Sequence, residues 1–533
     1  MGAIGALIFA TLPALAQQTP FIIDRSRADR LPTPPPSPPP AVAAPAPENA
    51  NLSVQPFTLT GVRIEGTSLA PDLLGAAAKG FIDRNVATTA DLTAIAQAVS
   101  DAYGKSGDIA LYTVNIPAQD FAGGMIVLRI TEGHIEHVEL RGDTGGDVGR
   151  VMAMAGKLTK ERPLRRSTLQ RYLSLIRDLP GLTIDAQMLR GQAAGAVRLV
   201  LTLTQKRHAL ALNLTTGGNT LLGRTQIQAD FSLYNLFVQG EETKFSFGTS
   251  TVFSRYQYYG VSHSEALDDE GTRASLAYGY LRTDVGALGL SGQAQTLQLA
   301  VSHPLIRGFE ENLNLNVSLD GLDASNALLG TLISNEHVRA LRGGAGYSLV
   351  DERSALTLSA SLAQGLDFAD ARSLFGSPDF QKLVVQGGYN RLLGEDWVVR
   401  FKATGQLSGG ALPISELFAL GGPDYGRAFL SASALGDQAL AGSLEVGYLP
   451  KGLPNILNGL EIFAFGDQGW TWLRRRAPLA ATRVDLASAG GGIRLTLGRE
   501  TRLELAAANA ISTNAPGTRV GSWLLLIGLN SRF

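Results

Sequence analysis

The chain has 533 residues, a formal net charge of −1 and no cysteine. The missing thiols exclude disulfides, cysteine nucleophiles and thiolate metal sites, and the balanced charge gives no electrostatic case for nucleic acid. Charged residues make up 17% of the chain and glycine is abundant at 61, against about 25% charge in an average soluble protein. With no apolar run of about eighteen residues, a helical membrane protein is disfavoured and a β-rich membrane wall favoured.

In chain order, residues 1–16 read as a signal peptide. An apolar stretch from Ala3 ends at Ala14-Leu15-Ala16, a small-x-small cleavage pattern before Gln17, although no basic residue precedes it. Residues 17–56 form an N-terminal segment and a linker. Residues 24–31 are predicted to make two or three helical turns. Residues 32–47, PTPPPSPPPAVAAPAP, forbid helix and ladder and favour polyproline II, spanning roughly 50 Å at ~3.1 Å per residue.

Two units of similar plan follow, at 57–132 and 133–206. In the first, the pattern predicts a strand at 57–66 with a bulge at Gly61, then a helix at 71–81. A second helix starts at Thr88 or Thr89, with Leu92, Ile95, Ala96, Val99 and Tyr103 on one face. Strands are predicted at 110–116 and 125–131. The second unit repeats this with a strand at 135–141, a short helix at 151–155, a helix capped by Ser167 or Thr168, and strands at 182–188 and 197–203. Both units read βααββ, and each is long enough for a small core.

From about residue 207 to the end the helical period disappears. Windows such as Leu313/Leu315/Val317/Leu319 against Asn312/Asn314/Asn316/Ser318 alternate apolar with polar, the signature of strands with one wet and one greasy face. The roughly 327 residues hold about sixteen such windows, about twenty residues per strand and turn, which suits membrane strands of about ten residues. Arg400 and Lys402 are therefore expected to point into the lumen. Trp523, Leu525, Ile527, Leu529 and Phe533 share one parity in the last window. The expected fold class is α+β repeats followed by a transmembrane antiparallel β-barrel of about sixteen strands.

Signal, proline linker, two βααββ units and a barrel ending in Phe, in that order, resemble the outer-membrane transporters of two-partner secretion, the FhaC/ShlB/HecB class of hemolysin secretion and activation proteins, and the repeated units resemble POTRA domains. The most specific stretch is 417–440, LFALGGPDYGRAFLSASALGDQAL, with Gly421, Gly422, Arg427, Phe429, Gly436 and Asp437 matching the family's long-loop motif. Gly426 and Ala428 depart from its usual Val and Gly. Phe463, Phe465, Asp467 and Gly469 resemble the family's wall-strand motif, and 302–307, SHPLIR, resembles a further barrel stretch. The resemblance implies that the loop folds into the barrel and that Arg427 meets Asp467. A guanidinium facing a carboxylate there is expected to form a two-bond fork.

The resemblance further implies a secreted exoprotein as partner, unfolded and Sec-exported, received by POTRA units in the periplasm and passed outward through the bilayer. Exposed edge strands offer a route of capture by strand addition. Residues 182–188 are the first candidate edge. The outer face of the adjoining helix, Gln170, Arg171, Ser174 and Arg177, is a candidate substrate-binding surface. Residues 17–31 are a candidate plug with the proline run as tether. A barrel insertase of the same superfamily is the alternative, with a porin or receptor behind it; insertases usually carry more POTRA units and no proline linker. A surface enzyme on a barrel anchor is weaker still, since neither a catalytic constellation nor a phosphate loop is visible. His134 and His137 in EGHIEH would point to opposite faces of a strand. No metal, cofactor or nucleotide is therefore expected.

Overall fold

The computed structural model describes residues 41–42, 56–69, 71–86, 88–143, 148–454, 459–476, 480–498 and 500–533. The readings of a signal at 1–16 and a plug at 17–31 lie outside these residues. The described chain separates into two compact units. One comprises residues 206–306 and 310–533, and the other the residues up to 205 together with Arg307–Phe309.

The smaller unit starts with β1 (Ala41–Val42) and then builds two βααββ modules. In the first, the strand expected at 57–66 is split into β2 (Phe57–Thr58) and β3 (Gly61–Glu65). The halves serve different partners: β2 pairs with β4 (Asn85–Val86), while β3 runs parallel to β6 (Met125–Glu132). Between them lie α1 (Pro71–Ala78), a 3-10 turn at Lys79–Phe81, α2 (Thr89–Ser106) and β5 (Tyr112–Asn115). Helix α2 begins where its capping box dictates: the Thr88 hydroxyl accepts from Asp91 N–H and the Asp91 carboxylate accepts from Thr88 N–H. Leu92, Ile95, Val99 and Tyr103 on its inner stripe are all but fully buried.

The second module contains β7 (His134–Gly142), α3 (Gly149–Leu158), α4 (Arg166–Arg177), β8 (Leu182–Arg190) and β9 (Ala196–Gln205), with sheet order β1-β8-β9-β7. Helix α4 starts earlier than expected. Its N-cap is Arg165, and Ser167 and Thr168 lie inside the first turn. Asp108 supplies the missing cap from outside, accepting Ser167 N–H at 2.9 Å. Two residues of the proline-rich segment form β1, parallel to Gln187 and Met188 of β8. The β8 edge, expected to be open, is thus covered over that stretch.

The larger unit is a closed barrel of sixteen strands. They are β10 (His208–Thr215), β11 (Gln226–Tyr234), β12 (Glu242–Ser250), β13 (Gln257–Ala266), β14 (Arg273–Val285), β15 (Leu290–Arg307), β16 (Glu311–Leu328), β17 (Thr331–Val350), β18 (Ser354–Gly365), β19 (Gln381–Leu393), β20 (Trp397–Ser408), β23 (Gln438–Tyr448), β24 (Leu460–Leu473), β25 (Thr482–Leu497), β26 (Thr501–Thr513) and β27 (Trp523–Arg532). Neighbours are antiparallel, and β10 closes on β27 through the pairs from Ala211↔Arg532 to Thr215↔Gly528. Phe533 extends that seam by exchanging backbone hydrogen bonds with Leu210.

The alternation has the expected sense. Val317, Leu362 and Leu407 are more than half exposed on the outer face, while Ser318 of the same strand as Val317 is 2% exposed inside. In lipid this outer face is the comfortable one, and closure leaves no bare edge for hydrocarbon. Between β20 and β23, residues 409–437 form a long loop with its own stem, β21 (Phe418–Leu420) paired with β22 (Ala434–Gly436).

Candidate functional site: a loop seated on the barrel wall

The stem carries a compact tip. Gly421 and Gly422 sit at φ of +103° and +104°, a region essentially reserved for glycine. A Cβ on Gly421 would stand 2.4 Å from the Leu430 carbonyl oxygen. Gly426 is also left-handed, which suits its departure from the family's usual Val. Phe429 is buried with Leu420, Ala428, Ala441, Phe463 and Phe465 in one apolar cluster.

Arg427 enters the lumen and meets Asp467 as an ion pair, as expected, but its hydrogen bonds go elsewhere. Its Nη1 donates to Glu445 Oε2 at 3.0 Å and its Nη2 to the Ser443 hydroxyl at 3.1 Å. Asp467 stands 3.6 Å from Nε, near enough for Coulomb attraction but beyond hydrogen-bond range. The two-bond fork between Arg427 and Asp467 is therefore absent. Asp467 Oδ1 is engaged elsewhere, accepting Gly426 N–H at 2.7 Å and the Ser488 hydroxyl at 2.6 Å. Asp467 thus binds the backbone of the tip, and Glu445 binds its charge.

Glu445 belongs to a wider lattice of alternating charge. Arg494 donates to both oxygens of Glu445 and to Glu504, while Arg400 reaches both Glu445 and Glu461. Strand register explains the grouping: Arg400 lies opposite Glu445, Glu461 opposite Arg494, and Arg494 opposite Glu504. Lys402 also points inward, 3.3 Å from Asp424 of the tip and over the Tyr425 ring.

Phe463 and Phe465 form the floor under the cations. The guanidinium of Arg494 sits 3.9 Å above Phe463 and that of Arg427 4.0 Å above Phe465, as attraction to an aromatic face predicts. Each ring lies against a glycine on the facing strand, with Phe463 opposite Gly492 and Phe465 opposite Gly490. A Cβ at either glycine would meet its ring at 2.9 Å. Gly469 serves the same end for the loop: a Cβ there would lie 2.5 Å from Leu420. Gly436 passes close to Thr471 and Trp472 of β24. Asp437 accepts Leu412 N–H and Arg474 N–H, each at 2.7 Å. The tip also touches the turn that follows the barrel's first strand, where Ser431 donates to the Gly217 carbonyl.

Beside this ionic side, the wall of β10–β17 borders a cavity of about 820 Å³, lined by residues such as Gln228, Ser232, Tyr258, Ser262, Thr296 and Gln298.

The candidate surface on α4 fares differently. Gln170, Arg171 and Arg177 are half-buried, but Ser174 is fully buried, with its hydroxyl donating to the Gly308 carbonyl of the same compact unit. Leu175 beside it is buried too. The helix is covered on more than its apolar stripe, and Ser174 is not on an outer face. Sequence reasoning missed Glu445, Arg494 and the glycine run 490–492. Their common parity with the lumenal wall was readable, their mutual register was not.

βααββ units ahead of a closed sixteen-stranded barrel whose long loop is seated inside define the POTRA–barrel class of outer-membrane proteins, with the POTRA units in the periplasm. Residues 195–495 match the haemolysin secretion/activation protein family ShlB/FhaC/HecB, and residues 57–133 match its POTRA domain, ShlB-type. The chain belongs to this family of two-partner secretion transporters. It is 21% identical over 387 residues to the heme/hemopexin transporter protein HuxB of Haemophilus influenzae, covering 70% of this chain and 66% of that one. In fold it is similar to CdiB from Escherichia coli, with a TM-score of 0.69 at 19% identity and 98% coverage of both chains. BamA from Haemophilus ducreyi, in a form lacking POTRA domains 1–3, gives a TM-score of 0.53 at 12% identity, with 90% of this chain and all of that one covered.

Proposed function

We propose that this chain captures an unfolded, Sec-exported exoprotein in the periplasm and passes it through the barrel to the cell surface, with the seated loop holding the resting state. The observation that carries the reading is the burial of Arg427 on the wall: a long hairpin tied into a lumen by a glycine joint and a shared carboxylate is built to be moved. Arg427 and Asp467 act with Glu445 rather than as an isolated pair. Gly421, Gly422 and Phe429 shape the tip, while Gly436, Asp437, Phe463, Phe465 and Gly469 fit it to the wall.

Capture by strand addition at β8 remains the favoured route, with β1 as the occupant an incoming strand would displace. Gln170, Arg171 and Arg177 lie half-buried beside it, and Ser174 is withdrawn from that set. Residues 17–31 act as a plug tethered by 32–47. Removing 17–47 and recording single-channel current tests this, and an unchanged closed state refutes the plug. No nucleotide serves the periplasm, so folding or binding of the emerging cargo drives export. The barrel does no chemistry on its cargo.

The decisive experiment follows a neighbouring large secreted protein in cells with and without this chain. Surface delivery that depends on it supports export. If outer-membrane proteins generally fail to insert while the neighbour still reaches the surface, the chain is an insertase instead.

A further inference from the structure

The loop is held at two places that share no residue. The first is the tip seat of Arg427, Glu445, Ser443 and Asp467. The second lies at the base, where a 3-10 turn, Ile414–Glu416, buries the Glu416 side chain completely. Glu416 accepts from Arg342 Nη2 at 2.8 Å and from Lys382 Nζ at 2.7 Å. Arg342 also donates to Asp320. Strands β16, β17 and β19 thereby contribute Asp320, Arg342 and Lys382 to one buried group of two cations and two anions, with the loop supplying the second anion.

Neighbouring bonds hold the same turn. Glu336 accepts Ile414 N–H at 3.0 Å and Ser415 N–H at 3.1 Å. Gln406 donates to the Glu416 carbonyl at 3.2 Å. Arg476 donates to the Leu412 carbonyl at 2.6 Å while engaging Asp437. Leu412 and Leu417 pack with Phe380 and Leu222 in an apolar cluster inside the barrel. Between this base and the tip stand Gly421 and Gly422, the backbone joint already described.

We propose that Glu416, clamped by Arg342 and Lys382, is a second positioning residue that fixes the base of the loop independently of the tip, so that the part released from the wall is the stretch beyond Gly421. This rests on the reading of the seated loop as the resting state of an export pore. A buried carboxylate with two cationic donors loses most when one member is removed, because the remainder is left buried and uncompensated. The base therefore stays put when the tip lets go. The joint permits the separation because its torsions are open to glycine in either state.

The native chain has no cysteine, so single reporters are clean. Ala428→Cys reports the tip and Leu417→Cys the base. Each is labelled with a membrane-impermeant maleimide in outer membranes carrying the full chain, with a heat-modifiable gel shift as the check on folding. Glu445→Gln is expected to raise labelling at position 428 by about tenfold or more and to leave position 417 within about twofold. Glu416→Gln is expected to do the reverse. Lys382→Met, which keeps Glu416 and Arg342 paired, exposes position 417 more mildly if Glu416→Gln proves unable to fold. The double variant Lys382→Met/Glu416→Gln should label position 417 no faster than Glu416→Gln alone, since both remove one interaction. Equal exposure of both reporters by Glu445→Gln overturns the proposal, as does a Lys382→Met variant that labels like the parent at position 417. No cargo enters the assay, so its failure is distinct from a failure of the export reading.

Discussion

The charge of Arg427 rests on Glu445, and this can be measured against the alternative that it rests on Asp467. At 3.0 Å and an effective dielectric near 20, the Arg427–Glu445 attraction is about 5.5 kcal/mol before desolvation, against about 4.6 kcal/mol for Asp467 at 3.6 Å. Coulomb energy alone hardly separates them. The hydrogen bond does, because one to a charged group contributes about 1.5–3 kcal/mol net and, of the two carboxylates, Glu445 accepts one from Arg427 while Asp467 does not. Removing Arg427 does not strand Glu445, which keeps Arg494, so the loss stays below the 3–5 kcal/mol or so typical of an orphaned buried charge. A double-mutant cycle of Arg427→Ala with Glu445→Gln should therefore give a coupling of about 2–3 kcal/mol, and with Asp467→Asn about 1 kcal/mol or less. Read as labelling of Ala428→Cys, Glu445→Gln should speed modification roughly 30- to 150-fold at 1.4 kcal/mol per decade. If Asp467→Asn produced that acceleration and Glu445→Gln labelled like the parent, the assignment of the charge to Glu445 would be wrong.

Three further outcomes are expected. Gly421→Ala should destabilise the seated tip by about 1–3 kcal/mol through its torsion and its contact with Leu430, seen as faster labelling of Ala428→Cys with unchanged labelling of Leu417→Cys. Val317→Arg on the lipid face should cost about 2–4 kcal/mol in urea unfolding from vesicles, while Asn316→Arg on the lumenal face should cost distinctly less. In the first POTRA module, burial alone would raise the Glu132 carboxyl, but hydrogen bonds from Tyr103 and Ser68 outweigh it and hold the group below the ordinary carboxylate value of 4.5. A depressed folded pKa stabilises above the unfolded value and fades as pH falls through the folded one. Amide exchange at Ser68 should therefore accelerate as pH drops below about 4.5, beyond the intrinsic pH trend, and Tyr103→Phe should flatten that response.

The larger architecture was legible because it is written in period. Leu313 to Leu319 alternates with asparagines whatever their partners are, and Thr88 with Asp91 marks a helix start locally. The parity of Arg400 and Lys402 also placed them inside. What the sequence hid was register and third-party cover. Glu445 and Arg494 are forty-nine positions apart, and only the pairing of β23 with β24 and of β24 with β25 brings them together. Ser174 looked like a surface residue because its neighbours on the helix are polar, yet backbone from a distant turn covers it. The strand at 57–66 divided because its first half pairs with β4 and its second with β6, a tertiary demand no local pattern carries. The Arg427–Asp467 pair is present as an ion pair at 3.6 Å but without the expected two-bond fork. Asp467 lay within range, but the main chain of the tip had already claimed it.

The bare stretch 490–492 has a consequence for how the resting state is calibrated. With no side chain at 490 or 492, Phe463 and Phe465 lie directly against the β25 main chain, and the two arginines sit over those rings. A methyl group added at residue 490 or 492 would meet a β26 carbonyl at 2.0 or 2.2 Å as well as the ring at 2.9 Å, so it would spread the wall strands and disturb the aromatic floor at once.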